Sequence, residues 1–354
     1  MLGSEYNWLI RFSRPTHGAP RVTLVSGGLL TLAIAAFCLL CLAARAESPA
    51  TAQRTDVATW SIPAMDGIIE SVALDPATHR AFFGDVHNRC IWERETDGGN
   101  VVMKRFSAES DGLLGVFALK VSADGRTLWA SSSALPEMKG YAPADLGRGL
   151  LAAYDLPTRK LRSTYPLPAD GRAHVLGDFI LAGDGTIYAT DSTAPIIWRL
   201  SRDGTRLEKW LENAQFKSLQ GLVLAPDQRT MWVADYSRGL WRVDLRTATA
   251  VLLPAPDGSN LRGIDGLYAT PGGLIGVQNG LNPQRIIRLV LDSTGTPTRL
   301  ETILSGQPEM TDLSLGQVVG DRFQFVANSG WELFANPAAT PAARPVTIID
   351  ASLR

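Results

Sequence analysis

Residues 222–245 read LVLAPDQRTMWVADYSRGLWRVDL. The apolar run Leu222–Leu224 enters a turn at Asp227. A second run, Met231–Ala234, closes on Asp235, and a third follows at Leu240–Val243. The order Thr-Met-Trp-Val alternates polar with apolar and uses the aromatic and β-branched residues that suit a pleated, half-buried surface. The stretch therefore predicts three short strands joined by tight turns, with no helical period.

The same phrase recurs along the chain. It stands as SVALDPATHRAFFGD (71–85), ALKVSADGRTLWASS (118–132), FILAGDGTIYATDS (179–192) and LYATPGGLIGVQNG (267–280), with a degenerate copy QVVGDRFQFVANS (317–329). The turn residues Asp75, Asp124, Asp184, Asp227, Pro271 and Asp321 are 49, 60, 43, 44 and 50 positions apart. Asp-Gly in several of these turns is a hairpin signal. Repeats of ~40–50 residues with this content are blades of four strands each. Six copies predict an all-β, six-bladed β-propeller over residues 47–354, in one domain without a linker. Ser133–Gly149, with Pro136 and Pro143, reads as a surface loop inserted in the second blade. Either Thr59–Ile62 or Val346–Ile349 can supply the closing strand.

Composition agrees with a folded β-rich chain. Of 354 residues, 45% are hydrophobic, with 33 Gly, 21 Pro and nine Trp. A formal net charge of −1 argues against a general nucleic-acid binder, which needs a basic surface. Residues 1–46 read as an export leader. Arg11, Arg14 and Arg21 precede an uncharged run from Val22 to Ala44, which ends in Ala44-Arg45-Ala46. A basic segment, an apolar core and an A-x-A site make a signal peptide. The run is also long enough for an uncleaved signal anchor, since ~20 apolar residues span a bilayer. Both readings place the domain outside the cytoplasm, periplasmic or secreted, with membrane contact only through an uncleaved N-terminal segment. Cys38 and Cys41 fall in the leader, so Cys90 is left without a partner for an internal disulfide and reads as a buried small hydrophobe.

A propeller binds at a mouth of its central channel, on loops that join neighbouring innermost strands. The residues at that phase are Glu70, Asp178, Gln220 and Asp265. A ring of inward carboxylates repels itself unless a cation sits among them. An oxygen-only set suits Ca²⁺, whereas zinc would call for His or Cys. Asp178 or Asp265 could serve as a base. His174, Gln278 and Asn279 are candidates for contacting a substrate; His174 is alternatively a packed histidine. Asp191 and Asp235 close their strands, where Asp commonly bonds neighbouring backbone. Trp129, Trp232 and Trp241 read as packing between blades.

These residues resemble the senescence marker protein, gluconolactonase and regucalcin family of six-bladed propellers, over most of residues 67–330. Family members hold a divalent metal by a Glu in the first blade, an Asn in Asn-Gly-Leu and an Asp in Asp-Gly-Leu. The matching residues here are Glu70, Gln220 in Leu-Gln-Gly-Leu and Asp265 in Ile-Asp-Gly-Leu. The family's Asn-Asp pair reads Gly177-Asp178. Gln220 is one methylene longer than Asn, and Gly177 lacks the side chain that would touch a sugar lactone. The motifs Thr190-Asp191-Ser192, Ala234-Asp235-Tyr236, Gln278-Asn279-Gly280 and Ala327-Asn328-Ser329 are similar to an exported bacterial subgroup of such propellers.

Three functions follow from this reading. The resemblance implies a metal-dependent hydrolase of a lactone or related ester, with Glu70, Gln220 and Asp265 on the metal. The departures at positions 177 and 220 leave open a non-catalytic propeller that binds a ligand or protein partner. A condensing enzyme like strictosidine synthase, with a single Glu base and an apolar pocket, shares the fold but fits an acidic ring poorly.

Overall fold

Each copy of the repeated phrase folds as one antiparallel four-stranded sheet. Blade 4 runs Leu219–Leu224, Thr230–Asp235, Gly239–Asp244 and Thr249–Leu252, from the channel outward. Blades 1, 2, 3 and 5 repeat this order, beginning at Ile69–Leu74, Gly115–Val121, Leu176–Leu181 and Ile264–Thr270. The computed structural model describes residues 56–75, 77–334 and 341–354. The leader expected at 1–46 lies outside the described residues, and no helix among these is long and apolar enough to cross a membrane.

Blade 6 uses both candidate closing segments. Its strands are Gly316–Val319, Arg322–Val326, Arg344–Ser352 and, outermost, Val57–Met65. The last two pair antiparallel, with Trp60 opposite Ile348 and Ile62 opposite Val346. The N-terminal strand therefore completes a blade begun by the C-terminal part of the chain, and the innermost strands of blades 6 and 1 pack together to close the ring.

One apolar cluster fills each gap between blades. Phe82, Ile91, Leu119 and Tyr154 join blades 1 and 2, and Leu151, Phe179 and Trp198 join blades 2 and 3. Trp241 packs between blades 3 and 4, Trp232 between 4 and 5, and Trp129 lies against the cluster of blades 2 and 3. Each large side chain so buried contributes about 1.5–3 kcal/mol. Cys90 is fully buried, and burial pushes its thiol up.

The turns behave as their residues require. The carboxylates of Asp124, Asp184 and Asp227 accept backbone N–H groups two residues on, from Arg126, Thr186 and Arg229. The insertion after Ser133 departs from a plain surface loop. Leu135 and Met138 are buried, in one cluster with Phe117 and Val175 over the start of the innermost strands.

Candidate functional site

The channel residues are placed by a backbone irregularity that repeats. In blades 1 to 5 the innermost strand carries a β-bulge near its start: between Ile69 and Ser71, Val116 and Leu119, Leu176 and Phe179, Leu219 and Leu222, and Ile264 and Leu267. A bulge leaves residues unpaired and re-aims their side chains. All four oxygen-bearing candidates from the sequence lie inside these bulges, but not at one position. Gln220 and Asp265 share the first bulge position with Phe117 and Gly177, Asp178 stands one residue further on, and Glu70 is the single bulge residue of blade 1. All four are buried. Gly221 follows Gln220 because a Cβ there would lie 2.3 Å from the Leu267 backbone nitrogen of the next blade.

The carboxylates feel one another. Burial, then the charge of Asp265, pushes Glu70 up to about 8, although the Trp331 indole N–H donates to its Oε2 at 2.5 Å. Burial also raises the Asp178 carboxyl, against the opposing charge of Lys120, whose Nζ sits 3.0 Å from Oδ1. The second oxygen, Oδ2, is buried with no hydrogen-bond partner. The Tyr268 hydroxyl is held well above its ordinary value by burial and then by Asp178, with Asp265 and Glu70 adding to it. Three carboxylates from three blades therefore act on one phenol.

Asp265 and Asn279 are brought together. The Asn279 amide donates to Asp265 Oδ2 at 2.7 Å and to the Leu313 carbonyl at 2.9 Å, while its Oδ1 is buried without a partner. Gln220 and Gly177 are also linked in space. A Cβ on Gly177 would meet the Ser192 hydroxyl at 2.4 Å and Gln220 Oε1 at 3.4 Å, and Ser192 donates to that same Oε1 at 3.3 Å. The longer amide and the missing side chain are one compensated arrangement.

Gln278 and His174 are engaged elsewhere. The Gln278 amide donates to the carbonyls of Asn260 and Arg262 at 2.8 and 2.7 Å, and its oxygen accepts from Arg285 Nε at 2.7 Å. His174 is buried, with Nδ1 2.6 Å from Asp191 and Nε2 2.8 Å from Asp170. Burial alone would lower its pKa. Asp191 and Asp170 outweigh that and raise it. Asp191 and Asp235 hold their blades, accepting the indole N–H of Trp198 at 3.0 Å and of Trp241 at 3.3 Å.

Several site residues were not read from the sequence. Lys120 occupies a strand position where other blades carry Ala73, Ile180, Val223 and Tyr268, so a charge in an apolar phase was the available signal. Trp331 and Asp312 lie outside the clear repeats. Asp312 Oδ2 accepts from the Ser329 hydroxyl and the backbone N–H groups of Gly330 and Trp331 at 2.7–2.9 Å, which sets the indole on Glu70. Burial, then the neighbouring Glu332, pushes Asp312 up to about 8.

The donors can be tested against a cation. They are oxygens alone, and Glu70 and Asp265 repel each other while the Asn279 oxygen lacks a partner. These features fit a hard divalent ion held by two carboxylates, with amide oxygens and water completing the shell. Among the described residues no group of three or more His, Cys, Asp or Glu side chains could hold a metal, so the amides would be needed.

No known protein family and no curated protein matches the sequence. Solved structures do. The PQQ-bound aldose sugar dehydrogenase of Streptomyces coelicolor superposes with a TM-score of 0.55 at 12% identity, over 84% of this chain and 99% of its own. A gluconolactonase of Xanthomonas campestris gives 0.54 at 16% identity, over 84% and 90%. The virginiamycin B lyase of Staphylococcus aureus gives 0.50 at 14%, over 83% and 99%. At such identities the likeness shows the propeller. Three different activities on it show that the fold does not choose among them.

Proposed function

We propose that this propeller is an exported hydrolase of lactones or related esters that works with a divalent cation, Ca²⁺ by donor type, at the channel mouth. The observation that carries the reading is the unpartnered Asn279 oxygen beside Asp265, whose charge acts on the buried Glu70 carboxyl. Glu70, Asp265 and the amide oxygens of Gln220 and Asn279 would hold the ion. When bound, it would polarise the substrate carbonyl and favour the developing oxyanion.

The base is then Asp178. Its Oδ2 is buried and has no hydrogen-bond partner, so it can accept a proton from water, while Lys120 favours its ionised form. Water adds to the carbonyl carbon, the acyl C–O bond breaks, and the proton taken by Asp178 passes to the leaving oxygen. Asp265, fixed by Asn279, is left to bind. Export rests on the basic segment, apolar run and Ala44-Arg45-Ala46 of the leader.

The ion pair of Lys120 with Asp178 favours one second reading. It neutralises part of the channel without a metal, as a non-catalytic ligand-binding propeller would need. A panel of lactones and esters assayed with and without chelator separates the two. The hydrolase reading predicts turnover that chelator abolishes and that Asp178→Asn lowers at least a hundredfold, in line with the ~10²–10⁴ contribution of general-base catalysis. Turnover unchanged in Asp178→Asn, or none on any substrate, would reject it.

A further inference from the structure

Blade 4 carries a groove on its outer flank, of about 270 Å³, lined by Gln215, Arg238, Trp241, Ala250, Val251 and Leu252. Trp241 stands opposite Leu252 across the two outer strands of the blade, so its ring shares a face with Ala250 and Leu252. Gln215 comes from the turn after Glu208–Glu212, the outermost strand of blade 3, and the adjacent Phe216 packs edge-on against Trp241 at 5.0 Å. Asp235 pairs with Leu219, the residue before Gln220, so the turn that carries Arg238 lies on the mouth side of the ring.

The outermost strand, Thr249–Leu252, is an open edge: no further strand among the described residues pairs with it. The Leu253 N–H donates inward to the Leu240 carbonyl at 2.8 Å, so alternation turns the N–H and C=O groups of Ala250 and Leu252 outward. Open edges are ordinarily blunted by charge or proline. The outermost strand of every other blade carries one or the other, among them Pro63, Lys104, Lys160, Lys209 and Arg299. Thr249–Leu252 carries neither, and its Val251 and Leu252 are 53% and 40% exposed.

The charge beside this edge has one sign. The backbone N–H groups of Lys217 and Arg238 share the Asp235 carboxylate, at 2.9 and 3.2 Å, which sets the two residues side by side with both side chains exposed. Among the described residues neither side chain is paired with a carboxylate; Lys217 Nζ donates to the Ala214 carbonyl at 3.2 Å. Glu212, at the end of the neighbouring strand of blade 3, is engaged by Lys209 and Arg172.

We propose that this flank binds an extended, acidic segment of a partner protein. The segment adds a strand to Thr249–Leu252, seats one apolar side chain over Trp241 and sets its carboxylates on Lys217 and Arg238. Backbone pairing supplies the affinity, while the groove and the two cations select the sequence. This site stands whatever the chemistry of the channel.

The test is fluorescence anisotropy of labelled hexapeptides titrated with the full chain. Thr-Val-Leu-Val-Asp-Asp is compared with Thr-Val-Thr-Val-Asp-Asp, Thr-Val-Pro-Val-Asp-Asp and Thr-Val-Leu-Val-Lys-Lys. The first is expected to bind saturably, and each of the others at least tenfold more weakly. Lys217→Glu combined with Arg238→Glu leaves the backbone bonds to Asp235 in place; it should weaken the acidic peptide at least tenfold and strengthen the lysine peptide. Should that variant fail to fold, the comparison of the four peptides on the unaltered chain still decides. No saturable binding, equal binding of the acidic and lysine peptides, or unchanged affinity in the double variant would overturn the inference. So would a dimer in solution that Leu252→Asp dissolves, because a second copy would then fill the edge.

Discussion

Gly177 shows how a substitution at one position is answered at another. Its missing side chain and the extra methylene of Gln220 are adjacent in space, with the Ser192 hydroxyl between them. Gly177→Ala is expected to cost about 1–2 kcal/mol through overpacking. Combined with Ser192→Ala, which vacates the contact, the pair should be non-additive by about 1 kcal/mol in denaturant unfolding. Additive losses would show that the contact is not the cause. His174 gives a prediction in pH. Its folded pKa is raised above the unfolded ~6.5 by Asp191 and Asp170. Its contribution is therefore full below ~6.5 and is lost as pH climbs through the raised value. Urea midpoints measured from pH 5 to 9 should show this fall, and His174→Gln should flatten it. Glu70 and Asp265 were legible in the sequence because each starts a strand at a recurring phase. The engagement of His174 was not, because Asp170 and Asp191 reach it from separate segments.

At the scale of elements, the strand-closing Asp is a fastener between neighbouring strands. Asp235 accepts the Trp241 indole N–H and the backbone N–H groups of Lys217, Ser218, Ser237 and Arg238. Asp85 and Asp191 hold Trp92 and Trp198 in the same way, each at 3.0 Å. In blade 5 an amide stands in: Gln278 receives Arg285 in place of a Trp. Removing a buried acceptor strands its donors at about 1–3 kcal/mol each. Asp235→Ala should therefore lower unfolding stability by about 3 kcal/mol or more, while Trp241→Phe, which keeps most of the packing, should cost less. Equal losses would refute the assignment of Asp235 to the backbone. The periodic Asp and Trp made these elements readable from sequence. The bulges were not readable, since a one-residue irregularity leaves no mark in an apolar run, and they are what turn the candidate side chains into the channel.

At the scale of the whole molecule, the ring is closed by strands from opposite ends of the described chain. Val57–Met65 covers the outer edge of Arg344–Ser352. Its removal exposes a long strand edge and the apolar contact between blades 6 and 1, so deletion of residues 56–65 should lower the melting temperature by about 10 °C or more and favour aggregation. A chain that melts unchanged without them would contradict this closure. The sixfold repeat was legible because turns and strands recur at blade spacing. The composition of blade 6 was ambiguous because its strands lie nearly 300 residues apart in the chain, and pairing of that kind is not encoded locally.

The measurement closest to the central claim is calorimetric titration of the metal-stripped protein with Ca²⁺, with Asp265→Ala alongside. One saturable site, weakened at least tenfold in the variant, is the predicted result. No binding by the unaltered protein, or equal binding by both, would contradict a cation held between Glu70 and Asp265.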